Sequence, residues 1–139
     1  MDRSLARFSQ FYNQFSEAWI ERLEELYAPG FHFQDPFHQV DGDFDTLRTY
    51  FRRVLTSLAV TKFTVDDVAT GNDGSYVRWH WDWKRKQSDP LHSVAGVTHL
   101  RFDSDGKITF HQDLFDAAEG FFETLPILGS ALRFVKKRV

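Results

Sequence analysis

Apolar residues recur at three- and four-residue steps through Leu5, Phe8, Phe11 or Tyr12, Phe15, Trp19, Leu23 and Leu26, the period of a helix with one buried face. The expected helix covers Asp2 to Tyr27, with an interruption at Ser16-Glu17 that divides it into a longer and a shorter piece. Ala28-Pro29-Gly30 ends it, because proline has no amide donor and glycine accepts positive φ. The period then falls to two over Phe31-His32-Phe33-Gln34-Asp35, a strand closed by Pro36. Past a loop through Gly42, Leu47, Tyr50, Phe51, Val54, Leu55 and Leu58 trace a second helix face.

The rest of the chain alternates. Strands are expected over Thr61 to Thr70, Tyr76 to Lys86, His92 to Asp103 and Lys107 to Asp116. The reversals between them, Gly71-Asn72-Asp73-Gly74, Ser88-Asp89-Pro90 and Ser104-Asp105-Gly106, are short and rich in turn residues, so neighbouring strands should form antiparallel hairpins. A sheet with helices on one side is the α+β solution. The tail breaks at Pro126 and Gly129 and ends in Lys136-Lys137-Arg138, which reads as a solvated helix end whose bases complement the dipole. Peripheral membrane contact through that tail is the lesser alternative.

With 139 residues the chain is expected to be one domain, residues 1–139. A net charge of −3 with mixed signs argues against a nucleic-acid partner. The absence of cysteine excludes thiol chemistry and disulfides and fits a cytoplasmic location. No apolar run is long enough to span a bilayer. What stands out is aromatic content: 15 Phe and 4 Trp in so short a chain imply either a bulky core or an aromatic-lined pocket.

Alternation places His111, Asp113 and Phe115 on one strand face, two titratable groups beside a ring. Val77, Trp79, Trp81 and Trp83 share a face of another strand, opposite Arg78, His80, Asp82 and Lys84, and read as core or interface aromatics. His80, His92, His99 and His111 have no close multi-ligand spacing, so no metal is expected. No phosphate loop, nucleophile elbow or nucleotide fingerprint is present, and no cofactor is expected. Chemistry must then rest on carboxylate, imidazole and hydroxyl groups.

Several segments in order resemble the superfamily of nuclear transport factor 2, ketosteroid isomerase and the SnoaL-like polyketide cyclases. They are Leu26-Tyr27-Ala28-Pro29, Phe33-Gln34-Asp35-Pro36-Phe37-His38 with Gly42, Gly96-Val97-Thr98-His99-Leu100-Arg101-Phe102, Asp105-Gly106-Lys107-Ile108, and His111-Gln112-Asp113 with Asp116. The resemblance implies a cone: a strongly curved antiparallel sheet wrapped around N-terminal helices, with a pocket at one end, commonly in a homodimer. Asp35 resembles the general base of ketosteroid isomerase, an enzyme in which an Asp base works beside a Tyr and a protonated Asp. The position matching that protonated Asp is Thr98, which cannot play its part, so steroid isomerisation is not implied. His111-x-Asp113 resembles the cyclase motif in which an Asp serves as acid/base.

The resulting expectation is a pocket for a small apolar molecule bearing a carbonyl or hydroxyl. Asp113 would be the acid/base, Asp35 and His111 would assist, and Tyr12, His38, Trp79, Thr98 and Phe115 would contact the ligand. Each acid also has a structural reading: Asp35 as a turn cap before Pro36, and Asp113 with His111 as paired polar members of the sheet. A non-catalytic binding or dimerisation module of the same fold is the alternative function.

Overall fold

The computed structural model describes residues 2–117. The tail and its basic end, 118–139, lie outside the described residues.

Helix α1 spans Arg3–Asn13, started by Asp2, whose side chain accepts from the Ser4 amide at 2.9 Å. It buries Leu5, Phe8, Phe11 and Tyr12, the expected face. The expected break is present. Two single-turn helices follow, α2 (Glu17–Ile20) and α3 (Leu23–Leu26), and they bury Trp19, Ile20, Leu23 and Leu26. Helix α4 spans Phe44–Thr56 and is capped by Asp43, which accepts from the Thr46 amide.

Six strands form one sheet: β1 (Tyr27–Gln34), β2 (Gln39–Asp41), β3 (Val60–Gly71), β4 (Gly74–Lys84), β5 (His92–Phe102) and β6 (Ile108–Phe115). Their order is β2-β1-β6-β5-β4-β3. The four strand segments expected after the second helix are all found within a few residues.

Three details differ from expectation. Tyr27 to Gly30 belongs to β1 rather than to a helix stop, with an irregularity between Tyr27 and His32 where Gly30 takes φ 77°. Gln39–Asp41, expected as loop, pairs back on β1. The β1–β6 pair is parallel, while the other four are antiparallel.

Irregular register in β1, in β3 between Val65 and Asp67, and in β6 at Thr109, opposite Arg101 and Phe102, bends the strands. The result is the strongly curved α+β cone the resemblance implied. Its concave face carries Val77, Trp79, Trp81 and Trp83, all buried, so the Trp stripe is core. Each strand of that face meets α1, α4 or a neighbouring ring, and Phe8, Phe11, Phe31 and Phe33 are sealed from solvent.

Cross-strand register decides what meets what on this face. Thr98 stands opposite Asp113, Leu100 opposite His111, and Gly96 opposite both Phe115 and Trp79. Gly96 is glycine for a steric reason. A Cβ there would lie 2.4 Å from Cη2 of Trp79, so the indole lies directly over the β5 backbone. Gly96→Ala is expected to push that indole off its seat at a cost of about 1–3 kcal/mol, as overpacked cores show; denaturant unfolding with a tryptophan fluorescence probe measures it.

Candidate functional site

The C-terminal ends of β1 and β6 lie side by side, Gln34 pairing with Gln112, and each strand delivers one carboxylate to the same hollow. Asp113 is 8% exposed and Asp35 9%. Both line a cavity of about 50 Å³ whose wall is otherwise aromatic and aliphatic: Tyr12, Phe15, Phe33, Phe37, Tyr50, Phe51, Val54, Phe63, Trp79, Trp81 and Phe115. The two acids also border an outer groove with Gln34, Gln112, Leu114 and Phe115, so they form the partition between the hollow and the surface. The hollow is small. An apolar cavity that admits a benzene measures roughly 150 Å³.

Asp113 is held by donors from three elements. Tyr12 of α1 donates to Oδ2 at 2.6 Å, while Thr98 of β5 at 2.5 Å and His111 Nε2 at 2.8 Å meet Oδ1. Behind them, Trp79 Nε1 donates to Thr98 Oγ1 at 2.8 Å, and the Tyr27 hydroxyl lies 2.7 Å from His111 Nδ1. Proton counting assigns the imidazole. An ionised Asp113 can only accept, so opposite it Nε2 of His111 carries the proton, and in the neutral imidazole Nδ1 then accepts from Tyr27. Burial keeps both tyrosine hydroxyls protonated, pushing them far above the ordinary tyrosine range, and the Asp113 charge adds to it.

Asp35 is arranged differently. Oδ1 caps the turn after β1 by accepting the amides of Phe37 and His38, each at 2.8 Å, and Oδ2 accepts from the Tyr50 hydroxyl. The turn-cap and cavity readings of this residue are therefore both true of one side chain. Burial raises its titration above the ordinary aspartate range, Tyr50 and the two amides pull it back, and the charge of Asp113 raises it further.

Among the residues expected to act together, Asp113, Asp35, Tyr12, Trp79 and Phe115 converge on the cavity. His111 does not face it: with no exposed surface and both nitrogens engaged, it lies behind Asp113 and orients that carboxylate. Thr98 is sealed as well and serves as the link between Trp79 and Asp113. His38 sits outside the cavity wall, its ring 4.1 Å from that of Tyr50 and Nδ1 3.9 Å from Asp35. Tyr50 and Tyr27, the hydroxyl partners of Asp35 and His111, were not anticipated. The signal for Tyr50 was its place on the apolar face of α4; Tyr27 had only its position in Leu26-Tyr27-Ala28-Pro29. Among the described residues no group of three or more His, Asp or Glu is placed to hold a metal ion, and no helix is long and apolar enough to cross a membrane.

The SnoaL-like domain matches residues 8–111, three quarters of the chain. The chain belongs to the SnoaL-like domain family. Solved structures agree on the fold. A protein with a ketosteroid isomerase-like fold from Catenulispora acidiphila, in complex with trimethylamine, superposes with a TM-score of 0.72 at 14% identity over 86% of this chain and 90% of its own. A nuclear transport factor 2-like protein of unknown function from Exiguobacterium sp. 255-15 gives 0.68 at 20% identity, with 81% and 98% covered. TerC, co-crystallised with polyporic acid, gives 0.68 at 16% identity, with 84% and 93% covered. No curated protein sequence matches the chain significantly.

The raised titration of Asp35 has a sign. The folded state holds this proton more tightly than the unfolded chain does, so its contribution is complete below the ordinary aspartate value and is lost as pH rises through the folded one. In Asp35→Asn, whose amide oxygen still accepts from Phe37 and His38, the fall in unfolding free energy from about pH 4 to about pH 7 should flatten. Urea unfolding of both proteins at a series of pH values measures the difference.

Proposed function

We propose that this SnoaL-like domain binds a small, largely apolar molecule in the hollow between α1, α4 and the concave sheet, and that Asp113 exchanges a proton with it. The reacting hydrogen would be a C–H beside a carbonyl or an O–H, in the manner of an isomerase, cyclase or dehydratase. What supports this most directly is the pairing of two buried carboxylates, each with its own tyrosine, on one aromatic-walled cavity. Buried acids of this kind are where proton-transfer chemistry is found. His111 and Thr98 would act through Asp113, fixing its orientation, while Asp35 is the second acid.

The ligands of the fold relatives, trimethylamine in one and polyporic acid in another, differ so widely that they leave the ligand of this chain to its own walls. A ring-sized ligand needs more than the present volume, so the rim rings Phe37 and Phe115, 5.9 Å apart, would have to part. A second reading, a non-catalytic binding module, is favoured by the completeness with which structural donors hold Asp113. Homodimer formation and a cytoplasmic location belong to the same proposal. Leu114, half exposed on β6, offers apolar surface to a second copy, and sedimentation is then expected at twice the 16.3 kDa chain mass.

The decisive experiment follows incorporation of solvent deuterium into small ketones and hydroxyketones, hydroxyacetone among them, by proton NMR. Asp113→Asn keeps an oxygen for Thr98 and His111 and should remain folded. Its exchange rate is expected to fall by roughly 10²–10⁴, the usual worth of a positioned acid/base. Undiminished exchange by that variant would remove Asp113 from the mechanism and leave the binding module.

A further inference from the structure

Among the described residues the cavity wall carries four side-chain donors, and each is already committed. Tyr12 gives its proton to Asp113 and Tyr50 to Asp35; Trp79 gives its N–H to Thr98, and Trp81 gives its N–H to Thr61 at 2.8 Å. The hydrogen-bonding capacity left facing the hollow is therefore acceptor capacity, the remaining lone pairs of two carboxylates and two hydroxyl oxygens. No lysine, arginine or histidine is among the described residues of the wall. Every other described residue of the wall is a ring or an aliphatic side chain.

That combination discriminates between ligand classes. An anion entering the hollow meets no free donor among the described residues and two acids of its own sign, and its desolvation goes uncompensated. A cation finds what it needs twice over, counter-charge from the acids and the negative faces of rings. Two ring pairs share the wall with Asp35: Phe33 lies 5.9 Å from Tyr50, and Phe37 lies 5.9 Å from Phe115. Of the two acids Asp35 is also the less encumbered by side chains, since two of its three donors are turn amides.

We propose that the cavity selects a compact alkylammonium group, seated among the rings of Phe33, Phe37, Tyr50, Trp79, Trp81 and Phe115, with Asp35 as its counter-charge. This rests on the reading above that the hollow between Asp35 and Asp113 is the ligand site, and it names the group by which the ligand is recognised. The two acids then divide the work. Asp35 anchors the cation, and Asp113, held from three sides, faces the part of the ligand that exchanges a proton.

The test uses two molecules of nearly the same shape, tert-butylammonium and tert-butyl alcohol, titrated at constant ionic strength into the full chain labelled with nitrogen-15. The readouts are the indole N–H signals of Trp79 and Trp81 and the heat of binding. The ammonium is expected to shift both indoles and to bind about tenfold or more tightly than the alcohol, the scale of a desolvated cation–π contact. Asp35→Asn should erase that preference, and Asp35→Glu should restore part of it, which separates lost charge from lost structure.

Equal or tighter binding of the alcohol overturns the cation proposal while leaving the ligand site in place. Ammonium shifts that persist unchanged in Asp35→Asn overturn it too. If neither molecule moves the indole signals, the hollow is not a binding site, and the proposal falls with the reading beneath it.

Discussion

A carboxylate taken out of water is costly unless donors replace its hydration, with a penalty of about several kcal/mol for an ion left alone. Asp113 meets that demand from three directions at once, through Tyr12 on the first helix, Thr98 on the neighbouring strand and His111 two residues back along its own. Each donor ties a different element to one point. Together they fix the β5–β6 register, since a slip by one residue would turn Asp113 to the convex face and Thr98 away from it. They also fix the rotation of α1, because only one residue of that helix reaches the carboxylate.

The aromatic packing follows from the same constraint. Trp79 must reach Thr98 across the sheet, and it does so by lying on β5 where Gly96 leaves room. Phe8, Tyr27 and Phe33 surround the imidazole of His111, with Tyr27 stacked at an interplanar angle of 13° and the other two edge-on. These rings shut water away from the imidazole and from the inner side of the carboxylate. What remains of the hollow is consequently narrow, walled by side chains already occupied with one another.

The sequence made the architecture legible because its strands are long, alternate cleanly and are joined by turns built from Gly, Asp and Asn. It was less informative at Tyr27 to Gly30, where a Pro-Gly pair reads as a helix stop. There it is a strand irregularity, sustained by parallel pairing to a strand some 80 residues later. No local pattern encodes such a partner. The same limit applied to the site. Period two put His111 and Asp113 on one face, yet it could not tell that one would look into the hollow and the other be sealed behind it. That difference arises from Tyr27 and Phe33, which approach from β1. Tyr50 was legible as an apolar-face residue of its helix and illegible as the partner of Asp35, because the contact depends on the turn at Asp35-Pro36 bringing β1 under α4.

Tyr12 and Asp113 are separated by 101 residues. At the usual pace of translation, about 5–20 residues per second, the helix leaves the ribosome roughly 5 to 20 s before the acid it must meet. Over that interval the apolar side of the nascent helix can lie on strands made earlier, Tyr12 against Phe63 of β3 with ring centroids 4.8 Å apart, but the tyrosine hydroxyl has no carboxylate to meet until β6 emerges. The assembly of this centre is thus a late event in the life of each new molecule.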